Sequence, residues 1–426
     1  MTGGPQIHSI IRKLYPLCRS ITGNGVRESL SIIKELIPVN IHEIPTGTKA
    51  FDWSVPREWN IRDAFIKDPR GQKVVDFKKS NLHVLGYSVP FSATVALDQL
   101  KEHLFTIPER PEWVPYRTSY YSENWGFCLP HRQFETLEDG AYEVLIDSSL
   151  EDGHLTFGEF LVRGALEDEV LISTHICHPS MCNDNLSGVA TAAYLAKHLA
   201  GRNDLRYSYR FLFIPGTIGS IVWLSLNEEK LPRVKYGLVL AGVGDQGSFT
   251  YKKSRRGDAE IDRVVINCLG HLDKNFRAMD FEPTGYDERQ YCCPGFDLPV
   301  GCLMRSVHGS YPEYHTSADD LDFVTASSLE ETFYLLLEIT HAIEKNRKYV
   351  SQNPKCEPQL GRRGLYRKTG GEKMGKNDEL AMLWLLNLSD GRHSLLDISE
   401  RSGQKMDSVI RAAEALSGQN LITPQN

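Results

Sequence analysis

The sequence has no C-x-x-C pair, although it carries nine cysteines. An odd number scattered from Cys18 to Cys356 excludes a disulfide framework and leaves most of them as buried thiols. Structural zinc held by cysteine usually shows paired spacing, which is missing as well. No run of about 18 apolar residues occurs that could span a membrane. The N-terminal stretch MTGGPQIHSIIRKLYPLCRS lacks the uninterrupted apolar core of a signal peptide. A cytoplasmic protein without a membrane partner is therefore expected. Basic charge is also scarce: 48 Lys and Arg against 55 Asp and Glu give a net charge of −7. A general polyanion binder should show a basic footprint, so no nucleic-acid partner is expected.

What is present is enough chain for two or three domains, 426 residues. Ile7, Ile10, Ile11 and Leu14 share one helical face, and Val26, Leu30, Ile33 and Ile37 share another, so two amphipathic helices open the chain. From residue 44 to 130, Pro, Gly, Trp and Tyr are dense and the apolar runs are short. This reads as a small β-rich domain inserted into a body made of residues 1–43 and 131–350. In that body, apolar runs such as AYEVLID, EVLISTHIC, YRFLFIPG and YGLVLAGVG precede or separate helical stretches. Such alternation predicts a doubly wound, mostly parallel α/β sheet. Residues 351–376, rich in Gly, Pro and basic residues, are expected to be a linker. Residues 377–426 read as three short helices in a winged-helix domain. That tail has seven acids against four bases, which favours packing or dimerisation, and hence a homo-oligomer, over DNA binding.

The chain is organised around ISTHICHPSMCNDNLSG, Ile172 to Gly188, which leaves an apolar strand and enters an Ala-rich helix. In open α/β sheets ligands bind where strands end and helices begin. His175, His178 and Asp184 all fall at that edge, and imidazole with carboxylate is a donor set for a metal.

At these residues the chain resembles the zinc aminopeptidases of the leucyl-aminopeptidase and glutamate-carboxypeptidase type. NDNLSG is similar to that family's D-N-x-S-G loop, whose Asp bridges two metals. GYDERQYCCPGFDLP (285–299) and YHTSADD (314–320) resemble its pocket segment and its Y-H-T-x-x-D segment. The layout also resembles a branch of aminopeptidase-like proteins from bacterial polysaccharide and natural-product biosynthesis, which carry a β-rich insertion and a C-terminal winged helix. The resemblance implies a zinc-exopeptidase-like fold with His175, Asp184 and His315 as metal ligands. The family's H-x-D has Cys177 in place of its Asp. Its adjacent Glu-Glu pair, one base and one ligand, is replaced by Pro215-Gly216, and its later metal-binding Asp has only Asp245 nearby.

Those departures favour one ion over two, zinc first, with iron or manganese also suited. His178 reads as a catalytic residue, a ligand or a substrate contact, and stands with Asp245 among the alternatives for the general base. Glu288 is the first choice for the general base and Glu313 the second, the alternative for each being a solvated carboxylate or an ion pair with Arg289. Tyr286, Arg289 and Tyr314 read as substrate-binding pocket walls. The KKSRRGD cluster (252–258) reads equally as an anion subsite or a solvated face. The resulting expectation is a metal-dependent aminopeptidase-like hydrolase acting on an amide bond of a small peptide-like or aminoacyl substrate. The alternatives are a degenerate fold acting as a binding scaffold, and metal-dependent acyl transfer or cyclisation.

Overall fold

The structure is a computed structural model that describes residues 3–272, 274–365 and 376–425. It divides into two compact units, Met1–Gly257 with Arg277–Phe333, and Asp258–Phe276 with Tyr334–Asn426.

The first unit is built on a sheet whose spatial order is Asn40–Pro45, His154–Val162, Ser208–Ile214, Glu169–His175, Val234–Leu240, Val300–Met304, Phe249–Lys252 and Phe276–Met279. Every residue of Glu169–His175 and Ser208–Ile214 is buried. Strands covered on both faces must be apolar throughout, which explains their unbroken runs. The central pairings are parallel. The flanking ones are antiparallel. The body is thus α/β with a large mixed sheet, parallel where the site lies and antiparallel at its margins. The helices Gly4–Leu14 and Asn24–Lys34 bury the two expected stripes, Ile7, Ile10, Ile11 and Leu14, and Val26, Leu30 and Ile33. Gly188–Ala200 is almost wholly buried, and Gly188 has no room for a side chain: a Cβ there would stand 2.5 Å from the Leu240 carbonyl oxygen.

A second, four-stranded antiparallel sheet has the order Lys73–Asp76, Glu58–Lys67, Ala141–Glu151, Phe91–Ala96. Along Ala141–Glu151 the residues Tyr142, Val144, Ile146 and Ser148 point inward in strict alternation, the pattern of a sheet with one covered face. This sheet lies largely in the stretch read as an insertion but recruits 141–151 from beyond residue 130. The strand Asn40–Pro45 joins the large sheet instead.

In the second unit, Lys348–Ser351 pairs with both Asp390–Ser394 and Ile422–Pro424. The helices Lys376–Leu388, Leu395–Ser402 and Met406–Gly418 accompany this small sheet as a winged helix. Ser394 caps the middle helix, its Oγ accepting from the Asp397 N–H while the Asp397 carboxylate accepts from the Ser394 N–H. Gly403, at φ +66°, ends that helix in the left-handed conformation glycine adopts freely. The winged fold thus draws on residues ahead of 351. Of the expected linker, residues 366–375 lie outside the described residues. Among the described residues, no helix is long and apolar enough to cross a membrane.

Candidate metal centre

Three imidazoles converge on one buried carboxylate. His175 is the last residue of its strand, and its Nε2 lies 2.7 Å from Asp184 Oδ1. His315 Nε2 lies 3.0 Å from Asp184 Oδ2, and His178 Nε2 lies 3.8 Å from that same oxygen. Donor atoms of His175, His178 and Asp184 all fall within 4.8 Å of one another, a spacing that suits a shared cation. Burial alone would raise the Asp184 pKa, yet the imidazoles around it hold it well below the usual carboxylate range. Burial drives His178 down to about 3, against the pull of Asp184 and with help from the neighbouring His175 and His315. A neutral imidazole keeps its lone pair available for a metal.

The NDNLSG loop earns its sequence by fixing Asp184. Asp319 accepts the backbone N–H groups of Asn183 at 2.5 Å and Asp184 at 2.9 Å. Asn183 accepts the N–H groups of Gly244 and Asp245 and donates to the Asp245 carboxylate at 2.8 Å. Asn185 donates to Thr174 Oγ1 and to the Leu240 carbonyl, and its Nδ2 lies 3.2 Å from His175 Nδ1. Ser187 Oγ accepts the Val243 N–H. Each polar side chain of the loop therefore ties the end of one central strand to the next. His315 sits at φ +56°, an uncommon conformation for a residue with a Cβ, and Tyr314 stacks on its ring at 3.9 Å. Behind His178, the buried Arg19 donates to the His178 carbonyl at 2.9 Å, and the Cys177 sulfur lies 3.3 Å from His178 Nδ1. Burial pushes the Cys177 thiol up to about 12, so it does not supply the charge of the family's Asp.

A cavity of about 150 Å³ opens beside the imidazoles, lined by His175, His178, Gly216, Tyr286, Asp287, His308 and Tyr314 among others. Tyr286 stacks on His175 with ring centres 4.9 Å apart. Two residues read as pocket walls, Tyr286 and Tyr314, thus stand at the cavity; Arg289 does not line it and has its Nε buried without a partner. The first choice for the base requires correction. Glu288 is fully buried and its carboxylate is ion-paired with the buried Lys252, so it is already neutralised and turned away from the cavity. Its neighbour Asp287 lines the cavity instead, accepting from Ser220 Oγ at 3.0 Å through Oδ1 while Oδ2 has no hydrogen-bond partner. Burial pushes Asp287 up to about 6, opposed by the nearby His175 and by the Ser220 hydrogen bond. Glu313 is half-buried and does not line the cavity. Asp245 is consumed by Gly247, Ser306 and Asn183. The cations of the KKSRRGD cluster are ion-paired: Lys252 with Glu288, Lys253 with Asp280, and Arg255 and Arg256 with Asp297.

Sequence reasoning did not single out Asp287, Asp319, Asn183, Asn185, Tyr116 or His308. Asp287 and Asp319 lie inside the two segments that carry the resemblance, so a reading of every carboxylate there would have found them. Tyr116, whose ring lies 5.1 Å from both His178 and His315, comes from the stretch read as an insertion and carries no local signal.

Comparison with known proteins gives the family and the fold. Residues 8–346 match a family described as "Domain of unknown function (DUF4910)", and residues 347–424 match a winged helix-turn-helix family. A Clostridium acetobutylicum protein, named "Putative polysaccharide biosynthesis protein with aminopeptidase-like domain", is 54% identical over 415 residues, 97% of this chain and 95% of that one. The crystal structure of a "putative peptidase" from the same organism superposes with a TM-score of 0.95 at 52% identity, covering 99% of this chain and 96% of the other. A zinc aminopeptidase from Bacillus subtilis shares the fold at a TM-score of 0.57 and 12% identity, over 80% of this chain and 95% of its own.

Proposed function

The chain belongs to the DUF4910 family, and on that premise we propose that it is a metal-dependent, aminopeptidase-like hydrolase that cleaves an amide bond of a small substrate. The observation that carries this reading is the convergence of three imidazoles and Asp184 beside a cavity that Asp287, with its buried and unpartnered Oδ2, helps to line. His175, His178, Asp184 and His315 are the residues that would hold the ion. The donor chemistry fits, because the buried carboxylate supplies charge and the imidazoles supply neutral lone pairs. Zinc is the first choice for such a set, with iron and manganese also compatible, and a bound ion polarises a carbonyl and acidifies water.

Asp287 takes the water's proton. A carboxylate held near the working pH by burial can accept a proton and return it to the leaving amine. This assignment also accounts for the missing Glu-Glu pair. A Cβ on Gly216 would stand 3.4 Å from both Asp287 oxygens, so the carboxylate of the opposite loop occupies the space a longer residue at 216 would enter. The basic group moved from the strand end to the loop. Tyr286 and Tyr314 wall the cavity and orient the substrate. At about 150 Å³ it holds roughly five waters' share of liquid volume, which suits a small acyl or aminoacyl group. The relative's name directs the choice of test substrates toward aminoacylated and N-acylated sugars alongside simple aminoacyl amides.

The experiment is release of free amine from such a panel by purified protein, before and after chelation and after readdition of zinc, iron or manganese. Turnover abolished by chelation and restored by one of the metals is the expected result. Turnover indifferent to chelation would remove the metal from the proposal, and no turnover on any substrate by protein with a full metal complement would replace it with a scaffold.

A further inference from the structure

The 282–288 loop, which brings Tyr286 and Asp287 to the cavity, is moored by an ion pair buried in the protein interior. Lys252, at the end of its strand and 1% exposed, donates to the carbonyl of Thr284 at 2.5 Å and to that of Glu282 at 3.4 Å. The same ammonium pairs with Glu288, whose Oε1 accepts the backbone N–H of Tyr286 at 3.3 Å. Two charged side chains therefore hold the loop from inside, one by its carbonyls and one by an N–H. Gly285 completes the fit. It sits at φ +107°, and a Cβ there would stand 2.8 Å from Lys252 Nζ and 2.9 Å from Glu288 Oε1. The loop lies on the pair with no side chain between.

Stability does not explain this arrangement. Burying two charges costs several kcal/mol per ion, and replacing such pairs with apolar residues of similar volume is often neutral or stabilising. What apolar residues do not supply is hydrogen bonds to the irregular backbone on both sides of Gly285. Beyond the loop, Tyr286 lies flat against His175 and Asp287 faces Gly216. Reactions of positioned groups are steep in distance, and a shift of about 1 Å can cost ~10²-fold.

We propose that Lys252 and Glu288 are positioning residues: their buried pair holds the 282–288 loop so that Tyr286 and Asp287 keep their places at the metal centre. The inference rests on the proposed hydrolase reading only for its kinetic arm. The test is the paired variant Lys252→Met with Glu288→Met, which removes both charges together and leaves no uncompensated ion, with Glu288→Gln as a milder second variant. Backbone hydrogen exchange over 284–288 is followed by mass spectrometry, together with melting temperature, metal content and steady-state kinetics.

The mooring predicts that exchange over 284–288 rises at least tenfold in the double variant while the central strands stay protected and bound metal is unchanged. On any substrate that is turned over, kcat falls at least tenfold with KM changed much less. The Gln variant, which keeps an acceptor for the Tyr286 N–H, recovers part of both effects. Exchange over 284–288 equal to the parent's in a folded double variant overturns the inference whatever the activity. A folded double variant whose loop exchange rises while kcat stays within twofold overturns the positioning role. If the double variant does not fold, the Gln variant decides alone by the same two readouts.

Discussion

At the scale of single residues, the account separates groups that bind from the group that moves a proton. Asp287→Asn keeps the shape of the loop and the Ser220 contact but removes the base. It should lower kcat by ~10²–10⁴, the usual worth of general acid–base catalysis, with metal content unchanged. Glu313→Gln should stay within a fewfold of the parent, because that side chain does not line the cavity. Steady-state kinetics on one substrate checks both, and a reversed order of the two effects would move the base away from Asp287. The residues that converge on Asp184 were legible in the sequence because strand end, D-N-x-S-G loop and Y-H-T segment are each contiguous and chemically distinctive. The carboxylate that lines the cavity stands one position before the one expected to be the base. In GYDERQ two carboxylates are adjacent, and only the fold decides that Glu288 turns inward to Lys252 while Asp287 faces the cavity.

At the scale of elements, the attachment of the second helix can be tested by pH. Arg27, on the helix Asn24–Lys34, makes two hydrogen bonds of 2.7 Å to Glu58 on the strand Glu58–Lys67. The Arg27 hydrogen bonds hold the Glu58 carboxyl at about 2, below its ordinary 4.5, against the opposing effect of burial. A depressed carboxylate stabilises the folded chain fully above its unfolded pKa, and that contribution is lost as pH falls through the folded value. Glu58→Gln should therefore cost about 2 kcal/mol near neutrality. The gap between parent and variant should narrow between about pH 4.5 and 2, as followed by urea midpoints. A gap independent of pH over that window would contradict the assignment. Helices were legible because their periods are regular, and the buried central strands because their apolar runs are unbroken. The strand Ala141–Glu151 was read as part of the body, since alternation shows that one face is covered but not which sheet the strand joins.

At the scale of the whole molecule, the winged helix is expected not to serve DNA. Its residues 377–426 carry seven acids against four bases, and one of the four, Arg411, pairs with Asp407. Within the same unit, Arg263 covers Asp397 and Glu400. With a net negative tail and so few Lys and Arg to release counterions from phosphates, the full-length chain should leave random duplex unshifted in a low-salt gel. Clear, salt-sensitive retardation would contradict this. The layout of body and winged helix was legible in sequence; the join was not, because Lys348–Ser351 stands where the linker composition begins yet pairs with strands forty or more residues later. The central claim, that three histidines and Asp184 form one metal centre, is tested most directly by metal bound per chain, measured by mass spectrometry on parent and Asp184→Ala protein purified side by side. The account predicts close to one transition-metal ion per parent chain and its near-complete loss in the variant; equal metal content in the two proteins would contradict it.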